Sequence, residues 1–495
     1  MAEWRTGDVP VTERCKGAGS DTIAGVATAP GRAALALLRI SGPRAGAIAA
    51  GLTAEGVEVE GEPRGSSAPL EPRRAALRLL VHPETGAALD HAVLTWFPGP
   101  ASYTGEDLLE ISCHGGAVVP SLLLDAVCAA GARPAERGEF TRRAYLNGKL
   151  DLVQAEATVD LIDARSVRMG SAALFALERG LSRRIEELRT RVIELQALIA
   201  YDIDFPDEDD GPVGRERVEQ AAEELENRIG ALLRHAPEGE MLREGALTVI
   251  AGRPNAGKSS LFNALLGLER AIVTEEPGTT RDAIEALLSV DGYPYRLVDT
   301  AGLRRGAERI EEMGIEVAHA YLERADLALV CVESGRAADP EEREFMELLD
   351  RRLGPERVLV VRTKADLSAA LDVDSVYLRS DSDGNGESRR PVEVEVTAPE
   401  GEGLEELRRA MLSATYAVLA GQAEQPLVTR RRHARALERA GEELADFRRA
   451  WAGGHPPEIS ATHLRDAVLA LEELLGVVTN EDVLDALFSS FCVGK

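Results

Sequence analysis

A glycine-rich run at residues 252–259 constrains this chain more than any other feature. It reads Gly252-Arg253-Pro254-Asn255-Ala256-Gly257-Lys258-Ser259, which fits the pattern G-x-x-x-x-G-K-[ST]. In such a run the glycines let backbone N–H groups approach phosphate oxygens, Lys258 pairs with the β- and γ-phosphates, and Ser259 offers a hydroxyl to Mg²⁺. A glycine turn before an ordinary helix would not explain the Lys258-Ser259 pair. The run therefore predicts a phosphate-binding loop (P-loop) between a strand and a helix.

Three further motifs follow the P-loop in the order typical of guanine-nucleotide-binding domains. They are Gly278-Thr279-Thr280-Arg281-Asp282, Asp299-Thr300-Ala301-Gly302 and Thr363-Lys364-Ala365-Asp366. The order predicts that Thr280 gives Mg²⁺ a second oxygen, that Asp299 orients water around the metal, and that the Gly302 N–H senses the γ-phosphate. Asp366 would accept two N–H bonds from guanine, and the backbone of Thr397-Ala398 would contact the guanine O6. The series predicts a GTPase domain.

Two positions depart from the usual GTPase pattern. Thr363 stands where asparagine is usual, and threonine is shorter and has no amide. We therefore expect weaker contact with the purine N7, while Asp366 keeps the selectivity for guanine. Leu303 stands where Ras-like enzymes carry the glutamine that orients the attacking water. The domain is therefore either an inert binding switch, or it recruits another residue and a cation other than arginine.

Charge and composition exclude several classes of protein. The sequence has 57 Lys and Arg against 84 Asp and Glu, a net charge of −27, so a broad nucleic-acid-binding surface is not expected. Contact with RNA would need a local basic patch or a partner protein. The chain has no apolar run of about 18 residues, so no membrane helix is expected, and residues 1–20 predict a disordered tail instead of a signal peptide. Five scattered cysteines without a C-x-x-C pair predict a reducing, cytoplasmic setting.

Hydrophobic patterning divides residues 21–495 into the parts of a multidomain fold. Residues 21–140 predict an α+β domain with strands at 34–40 and 108–113, a hairpin of strands 77–81 and 92–97 around a turn at 83–86, and a helix at 118–130. Residues 141–243 and 419–495 predict two parts of a discontinuous all-α domain, and residues 244–418 predict an inserted α/β P-loop domain. The first helical part has two stripes with a spacing of three or four residues, Leu181, Ile185, Leu188, Val192, Leu195 and Ile199, then Val218, Ala222, Leu225, Ile229 and Leu232.

Motifs outside the P-loop domain resemble the MnmE (TrmE) family of tRNA-modification GTPases. The resemblance runs from about residue 21 to the last residue. It implies a folate-binding and dimerisation domain at 21–140 and a Ras-like G domain of the TrmE type at 244–418. The motifs include Leu38-Arg39-Ile40-Ser41-Gly42, Tyr103-Thr104-Gly105-Glu106-Asp107, Arg137-Gly138-Glu139-Phe140, Asn147-Gly148-Lys149-Leu150-Asp151 and Phe491-Cys492-Val493-Gly494-Lys495.

The resemblance implies an answer to the missing glutamine. In the family, two G domains meet around a K⁺ ion that replaces an arginine finger. The matching K⁺ ligands here are Asn255, Thr279 and the carbonyls of Thr274 and Glu276, and the water-positioning glutamate matches Glu311. Glu311 would otherwise be an ordinary solvated helix residue. The implied catalytic residues are Lys258, Thr280, Asp299 and Glu311, with Mg²⁺ on Ser259 and Thr280, and the GTP-binding set is Asn255, Ala256, Gly257, Lys258, Ser259, Ser260, Thr274, Thr279, Thr280, Asp299, Thr300, Ala301, Gly302, Thr363, Lys364, Asp366, Thr397 and Ala398.

The resemblance also implies a site for 5-formyltetrahydrofolate or a related folate. The matching positions are Arg39, Glu110 and Lys149, with Lys495 near the site. Without the family, Arg39 would be an ordinary charged residue at a strand end. Cys492 is either a candidate for chemistry near the folate or a small packed residue.

The resemblance implies a potassium-dependent GTPase that works on tRNA. It would act as a homodimer, and as a heterotetramer with an FAD-dependent partner, MnmG (GidA). The product would be a carboxymethylaminomethyl or aminomethyl group on C5 of the wobble uridine, U34. The densest basic run is then a candidate for contact with tRNA or the partner, and otherwise a solvated helix face: Arg430, Arg431, Arg432, Arg435 and Arg439.

Two other functions stay open at the level of sequence. A ribosome-assembly or stress-response GTPase switch could have a similar G domain, although its flanking domains would not carry the folate and C-terminal motifs. A structural dimer module with degenerate nucleotide binding is disfavoured by the intact Lys258, Ser259, Thr280 and Asp299.

Overall fold

The computed structural model describes most of the chain. The described residues are 21–53, 69–204, 215–268, 284–299, 321–335, 340–364, 366, 392–420, 428–478, 481–489 and 491–494. The predicted tail at 1–20 lies outside them. The chain divides into two compact units, residues 1–159 with 475–495 and residues 160–474. The domain boundaries at 140/141, 243/244 and 418/419 stay predictions. None of the described helices is long and apolar enough to cross a membrane.

Strands and helices alternate along much of the described chain. The strands are β1 (Ile23–Val26), β2 (Leu35–Ser41), β3 (Ala75–Val81), β4 (Ala88–Phe97), β5 (Leu108–His114), β6 (Arg133–Pro134), β7 (Ala246–Gly252), β8 (Ile284–Val290), β9 (Tyr293–Asp299), β10 (Leu327–Glu333), β11 (Val358–Thr363) and β12 (Val392–Val396). The helices are α1 (Ala45–Leu52), α2 (Val119–Ala129), α3 (Glu139–Leu146), α4 (Leu152–Ile162), α5 (Val167–Leu177), α6 (Gly180–Asp204), α7 (Arg215–Leu233), α8 (Ala236–Glu244), α9 (Lys258–Leu268), α10 (Pro340–Leu353), α11 (Leu404–Thr415), α12 (Ala417–Ala420), α13 (Arg431–Ala452), α14 (Pro457–Leu475) and α15 (Glu481–Ser489).

The first unit is built on a six-stranded sheet in the order β3-β4-β5-β2-β1-β6. Neighbouring strands are antiparallel, apart from the parallel pair β1 and β6. Alternate residues such as Leu38, Ile40 and Ile111 are buried in a core shared with α1 and α2. The strands predicted at 34–40 and 108–113, the hairpin at 83–86 and the helix at 118–130 are confirmed.

The end of the chain packs within this first unit. Leu484 and Phe488 of α15, with Phe491 after it, share a core with Leu152 and Ala155 of α4. The Arg137 Nε donates to the Phe491 carbonyl at 3.1 Å. Gly494 lies against β1 so closely that a Cβ on it would stand 2.4 Å from the Val26 carbonyl oxygen, and its φ of +92° also favours glycine. Residues 475–494 therefore complete the unit that begins with β1.

The second unit contains a six-stranded sheet in the order β12-β11-β10-β7-β9-β8. All neighbouring strands are parallel except the antiparallel pair β8 and β9. The central strands are buried along almost their whole length, as expected of parallel strands covered on both faces. The predicted alternation of strands and helices is confirmed for the described part of 244–418.

The helices of the second unit bury the apolar stripes seen in the sequence. Every residue of the two stripes, in α6 and α7, is buried. Helix α13 follows the sheet in the chain and packs against α7, which precedes the sheet, with Arg448 2.7 Å from Glu226. Arg189 of α6 likewise contacts Glu472 of α14 at 2.5 Å. Helical segments on both sides of the sheet in sequence therefore pack together.

A buried arginine in α3 organises the carboxylates of the first unit. Arg143 donates to Asp21 and Glu139 at 2.9 Å and lies 3.2 Å from Glu106, while its side chain is only 8% exposed. Arg133 also donates to Glu139, at 2.6 Å. Burial raises the pKa of Glu139, but the hydrogen bonds from Arg133, the Glu136 backbone and Arg143 outweigh it and lower the pKa overall. The network therefore holds α3 against the start of β1 with charged partners.

We predict that Arg143→Met destabilises the first unit. The substitution keeps much of the side-chain volume but leaves Glu106 and Glu139 without their shared buried cation, a loss of about 3 kcal/mol. Backbone hydrogen exchange of β1 and β2 in the full chain measures this loss locally. The matched control is Arg191→Met, since the pair of Arg191 with Glu194 is 62% and 56% exposed and contributes less than about 1 kcal/mol. Equal effects of the two variants would contradict the assignment.

Candidate functional site

The second sheet brings the predicted nucleotide motifs to one edge. The P-loop follows the carboxyl end of β7, Asp299 ends β9, Thr363 ends β11 and Thr397 follows β12. These strands are parallel, so their carboxyl ends lie on the same side of the sheet. In open α/β sheets, ligands bind in the crevice outside this edge. The sheet topology therefore brings motifs that are far apart in the sequence to the same edge.

The P-loop has the backbone geometry that phosphate binding requires. Gly252, Asn255 and Gly257 have φ values of +136°, +65° and +80°, a region open to glycine and tolerated by asparagine. A Cβ on Gly252 would stand 2.5 Å from the Cys331 carbonyl oxygen. The backbone can therefore curl tightly over β10, and α9 begins directly after the loop, at Lys258. A helix N-terminus after such a loop favours negatively charged groups.

Lys258 lies inside the P-loop. Its side chain is largely buried, and Nζ donates to the carbonyls of Gly252 at 2.9 Å and Arg253 at 2.6 Å. A buried ammonium group held by loop carbonyls can exchange them for phosphate oxygens without moving far. The role of Lys258 in binding the β- and γ-phosphates stays a prediction.

Ser259 and Asp299 form the second part of the phosphate end of the site. The Ser259 hydroxyl donates to the Asp299 carboxylate at 2.9 Å, and Asp299 is buried. A hydroxyl and a carboxylate side by side are oxygen donors of the kind that Mg²⁺ prefers, with room for waters between metal and protein. The residues present thus fit a magnesium ion. Thr280, the other predicted Mg²⁺ ligand, lies outside the described residues.

The residues predicted to contact the base follow β11 and β12. Lys364 has a φ of +57°, and its Nζ lies 3.0 Å from the Glu333 carboxylate at the end of β10. Asp366 is exposed, where a carboxylate can reach an incoming base. The Thr397 N–H donates to the Glu402 carbonyl at 3.0 Å, which shapes the turn after β12. Glu333 was not singled out from the sequence, because its contact with Lys364 joins residues on different strands.

Thr363 is buried beneath the P-loop. Its hydroxyl donates to the Ala256 carbonyl at 2.9 Å, and the Val332 carbonyl lies 3.3 Å away. A Cβ on Gly257 would come within 3.1 Å of the Thr363 Cβ. The shorter side chain at this position therefore still ties β11 to the loop, which the sequence did not indicate.

The remaining predicted site residues fall into two groups, those that the structure describes and those outside the described residues. In the first group, Ala256 and Gly257 lie in the P-loop, Ser260 lies at the start of α9, and Ala398 lies in the turn after β12. The positions outside the described residues are Thr274, Glu276, Thr279, Thr280, Thr300, Ala301, Gly302, Leu303, Glu311 and Lys495. The K⁺-ligand roles of Asn255 and the other named residues, and the catalytic role of Glu311, stay predictions.

A buried cysteine lies under the P-loop. Burial raises the pKa of the Cys331 thiol to about 12, although the charge of Lys258 opposes this. Cys331 therefore remains a protonated, small apolar residue in the core of the sheet.

The candidate folate residues of the first unit fall into two contacting groups. Arg39 and Glu110 are register partners on β2 and β5, and the Arg39 Nε donates to the Glu110 carboxylate at 2.9 Å. The Arg39 guanidinium also lies 5.6 Å from the centre of the Tyr103 ring. Lys149 donates to the Pro100 carbonyl at 3.1 Å, in the same connection between β4 and β5 as Tyr103. Arg39 and Lys149 therefore both contact this connection, and Glu110 is paired with Arg39.

The C-terminal motif approaches the same face of this sheet. Gly25 of β1 is the register partner of Arg39, which in turn pairs with Glu110. A Cβ on Gly25 would be 3.4 Å from the Gly494 Cα. Since register partners share a face, Gly494 lies on the face that carries Arg39. Cys492 is exposed, and its carbonyl accepts from the Gly138 N–H at 3.3 Å.

Most of the basic run at 430–439 is paired with acidic groups or carbonyls. Arg430 donates to Asp160 at 2.6 Å, Arg431 contacts Glu240, and Arg439 contacts Glu473 at 2.5 Å. Arg432 donates to the Glu473 carbonyl at 3.2 Å. These contacts join Arg430 and α13 to Asp160, α8 and α14, and the contact of the basic run with tRNA or the partner stays a prediction.

Two protein-family models match the chain. The model described as GTP-binding protein TrmE N-terminus matches residues 22–149, and the model described as MnmE helical domain matches residues 152–492. Relatives that carry the name tRNA modification GTPase MnmE also match the chain. The protein of Alkaliphilus metalliredigens is 37% identical over 477 residues, that of Heliobacterium modesticaldum 41% over 482, and that of Moorella thermoacetica 40% over 481. Each alignment covers 96% of this chain and 99% of the relative.

Solved structures of G-domain proteins also resemble parts of the chain. The G domain of the T. maritima FeoB iron transporter is 26% identical and covers 34% of this chain and 96% of its own, with a TM-score of 0.24. The Aquifex aeolicus Era variant bound to GDP and AlF4⁻ is 21% identical and covers 40% of this chain and 65% of its own, with a TM-score of 0.25. TM-scores this low support no conclusion about the fold.

Proposed function

Since this chain belongs to the MnmE family of tRNA modification GTPases, we propose that it hydrolyses GTP to drive modification of C5 of the wobble uridine, U34, in certain tRNAs. The product is a carboxymethylaminomethyl or aminomethyl group. The observation that carries the proposal is the convergence of Lys258, the Ser259–Asp299 pair and Asp366 at one edge of a parallel sheet. Relatives that match over nearly their full length carry the corresponding name.

The phosphates of GTP are held by the P-loop. Its backbone N–H groups and Lys258 would bind the β- and γ-phosphates, and Ser259 with Thr280 would hold Mg²⁺. The metal would supply positive charge to the phosphate oxygens. Asp299 accepts from the Ser259 hydroxyl at 2.9 Å and orients the groups around the metal. Asp366 and the Thr397-Ala398 backbone bind the guanine.

Hydrolysis depends on groups that replace the missing glutamine at Leu303. Glu311 would position the attacking water. Asn255, Thr279 and the carbonyls of Thr274 and Glu276 would hold K⁺, which would supply positive charge to offset the charge that develops on the phosphates. Asn255 supports this assignment because it is exposed and has a φ of +65°, so it stands at the turn of the P-loop where a cation can reach it. Closing of two G domains around the ion couples hydrolysis to movement.

The first unit supplies the one-carbon group and the dimer contact. Arg39, Glu110 and Lys149, with Lys495, bind 5-formyltetrahydrofolate or a related folate. The Arg39–Glu110 ion pair, at 2.9 Å and with side chains 17% and 23% exposed, offers a cation for the glutamate tail or a carboxylate for the pterin N–H groups. Cys492 lies on the exposed end of the docked C-terminal segment and is a candidate for chemistry beside the folate.

The whole protein works as an assembly in the cytoplasm. We propose a homodimer that joins an FAD-dependent MnmG (GidA) partner in a heterotetramer, with tRNA bound largely through the partner and local patches. The G domain is an insertion in the helical domain, which the packing of α13 on α7 supports. A ribosome-assembly or stress-response switch is disfavoured, since the TrmE N-terminus model matches residues 22–149, wholly outside the G-domain sheet, and the MnmE helical-domain model extends beyond the sheet on both sides.

We predict that GTP turnover is faster in KCl than in NaCl at equal ionic strength. The difference should be about tenfold or more, the size expected when a charge-stabilising group is lost. Asn255→Ala should remove most of the difference, whereas Arg191→Met, far along the chain in α6, should leave it intact. Equal rates of the unsubstituted chain in the two salts would contradict the potassium assignment.

Nucleoside analysis of tRNA tests the function in cells. Deletion of this chain should remove the C5 side group from wobble uridines, because no GTP-driven cycle then remains. Expression of the intact chain should restore it, and expression of Lys258→Ala should not, since the phosphates lose their cation. Unchanged wobble uridines in the deletion strain would contradict the proposed function.

A further inference from the structure

The hydrogen bonds of Thr363 bear on how this chain recognises a purine. Thr363 is 2% exposed, and both oxygens near its hydroxyl are carbonyl oxygens, of Ala256 at 2.9 Å and Val332 at 3.3 Å. Carbonyl oxygens only accept, so the hydroxyl is the donor in either bond. A hydroxyl has one proton, and here it is donated to a carbonyl oxygen of the protein.

The purine N7 is also only an acceptor. Thr363 could bond to it only by withdrawing its proton from both carbonyls, which would leave the Ala256 carbonyl without this donor. The space around the side chain is also tight, because a Cβ on Gly257 would meet the Thr363 Cβ at 3.1 Å, Oγ1 at 3.3 Å and Cγ2 at 3.4 Å. Rotation of the side chain toward the nucleotide is therefore opposed by packing and by hydrogen bonding.

We propose that Thr363 is a positioning residue for the P-loop and does not read the base, so that this chain recognises guanine without a side-chain hydrogen bond from Thr363 to N7. Selectivity then rests on the N1 and N2 edge, which Asp366 accepts from, and on the backbone after β12. The inference rests on the proposed guanine-nucleotide function. Affinity for the base would then depend on the N1 and N2 edge and not on a bond from Thr363 to N7.

Reading of N7 and positioning of the P-loop, the two possible roles of the hydroxyl, predict different patterns of nucleotide affinity. A residue that reads N7 makes the protein prefer GDP over 7-deaza-GDP, in which a C–H group replaces N7. A residue that positions the P-loop affects both nucleotides equally, because both carry the same phosphates. The ratio of the two affinities therefore separates base reading from loop positioning.

Isothermal titration of the full chain with GDP and 7-deaza-GDP, in buffer with Mg²⁺, tests the proposal. The two dissociation constants should agree within about twofold for the unsubstituted chain. Thr363→Val removes the hydroxyl but keeps the branched shape, and it should weaken both nucleotides by the same factor, about fivefold. Thr363→Ser keeps the hydroxyl and should bind both within about twofold of the original chain.

The outcomes separate this inference from the proposed function. A preference of the unsubstituted chain for GDP over 7-deaza-GDP of about tenfold or more, removed by Thr363→Val, would overturn the inference alone. Inosine diphosphate, which lacks the 2-amino group, should bind more weakly than GDP to all three proteins, because Asp366 then accepts one hydrogen bond fewer. A chain that binds no GDP would contradict the proposed function instead.

Discussion

Two hydroxyl hydrogen bonds fasten the phosphate loop to the strands around it, and the nucleotide site depends on them. Ser259 bonds to Asp299 at the end of β9, and Thr363 at the end of β11 bonds to the Ala256 carbonyl. Strand β7, which leads into the loop, has β9 on one side and β10 followed by β11 on the other. The two bonds therefore hold the loop from both sides. A loop of fixed shape presents its N–H groups to phosphate without further ordering, which keeps the entropic cost of binding low.

In the first unit, contacts between distant segments are also made by side chains, but they are ion pairs instead of hydroxyl hydrogen bonds. There a buried arginine, Arg143, collects carboxylates from α3, the β4–β5 connection and the start of β1. Gly25, Arg39 and Glu110 are aligned across three strands, and the C-terminal Gly494 packs beside the first of them. Gly494 is therefore positioned by the sheet that begins at residue 23.

Features that depend on local sequence could be predicted, and features that join distant segments could not. The P-loop, the apolar stripes of α6 and α7 and the strands of the first sheet each arise within about twenty residues, where periodicity and turn chemistry act. The bond of Thr363 to Ala256 spans 107 residues and that of Arg430 to Asp160 spans 270. The ion pairs of the basic run at 430–439 could not be predicted from the sequence, because acidic partners such as Asp160 lie far away in the chain.

The central claim is that the edge of the second sheet binds guanine nucleotides through Asp366. It is tested most directly by calorimetric titration of the full chain and Asp366→Asn with GDP, ADP and xanthosine diphosphate. A carboxylate accepts from the guanine N1–H and 2-amino group, whereas an amide can donate to the 2-carbonyl of xanthine. The unsubstituted chain should therefore prefer GDP over ADP by about 100-fold or more, and Asp366→Asn should prefer xanthosine diphosphate. Equal binding of GDP and ADP, or an unchanged preference in the variant, would contradict it.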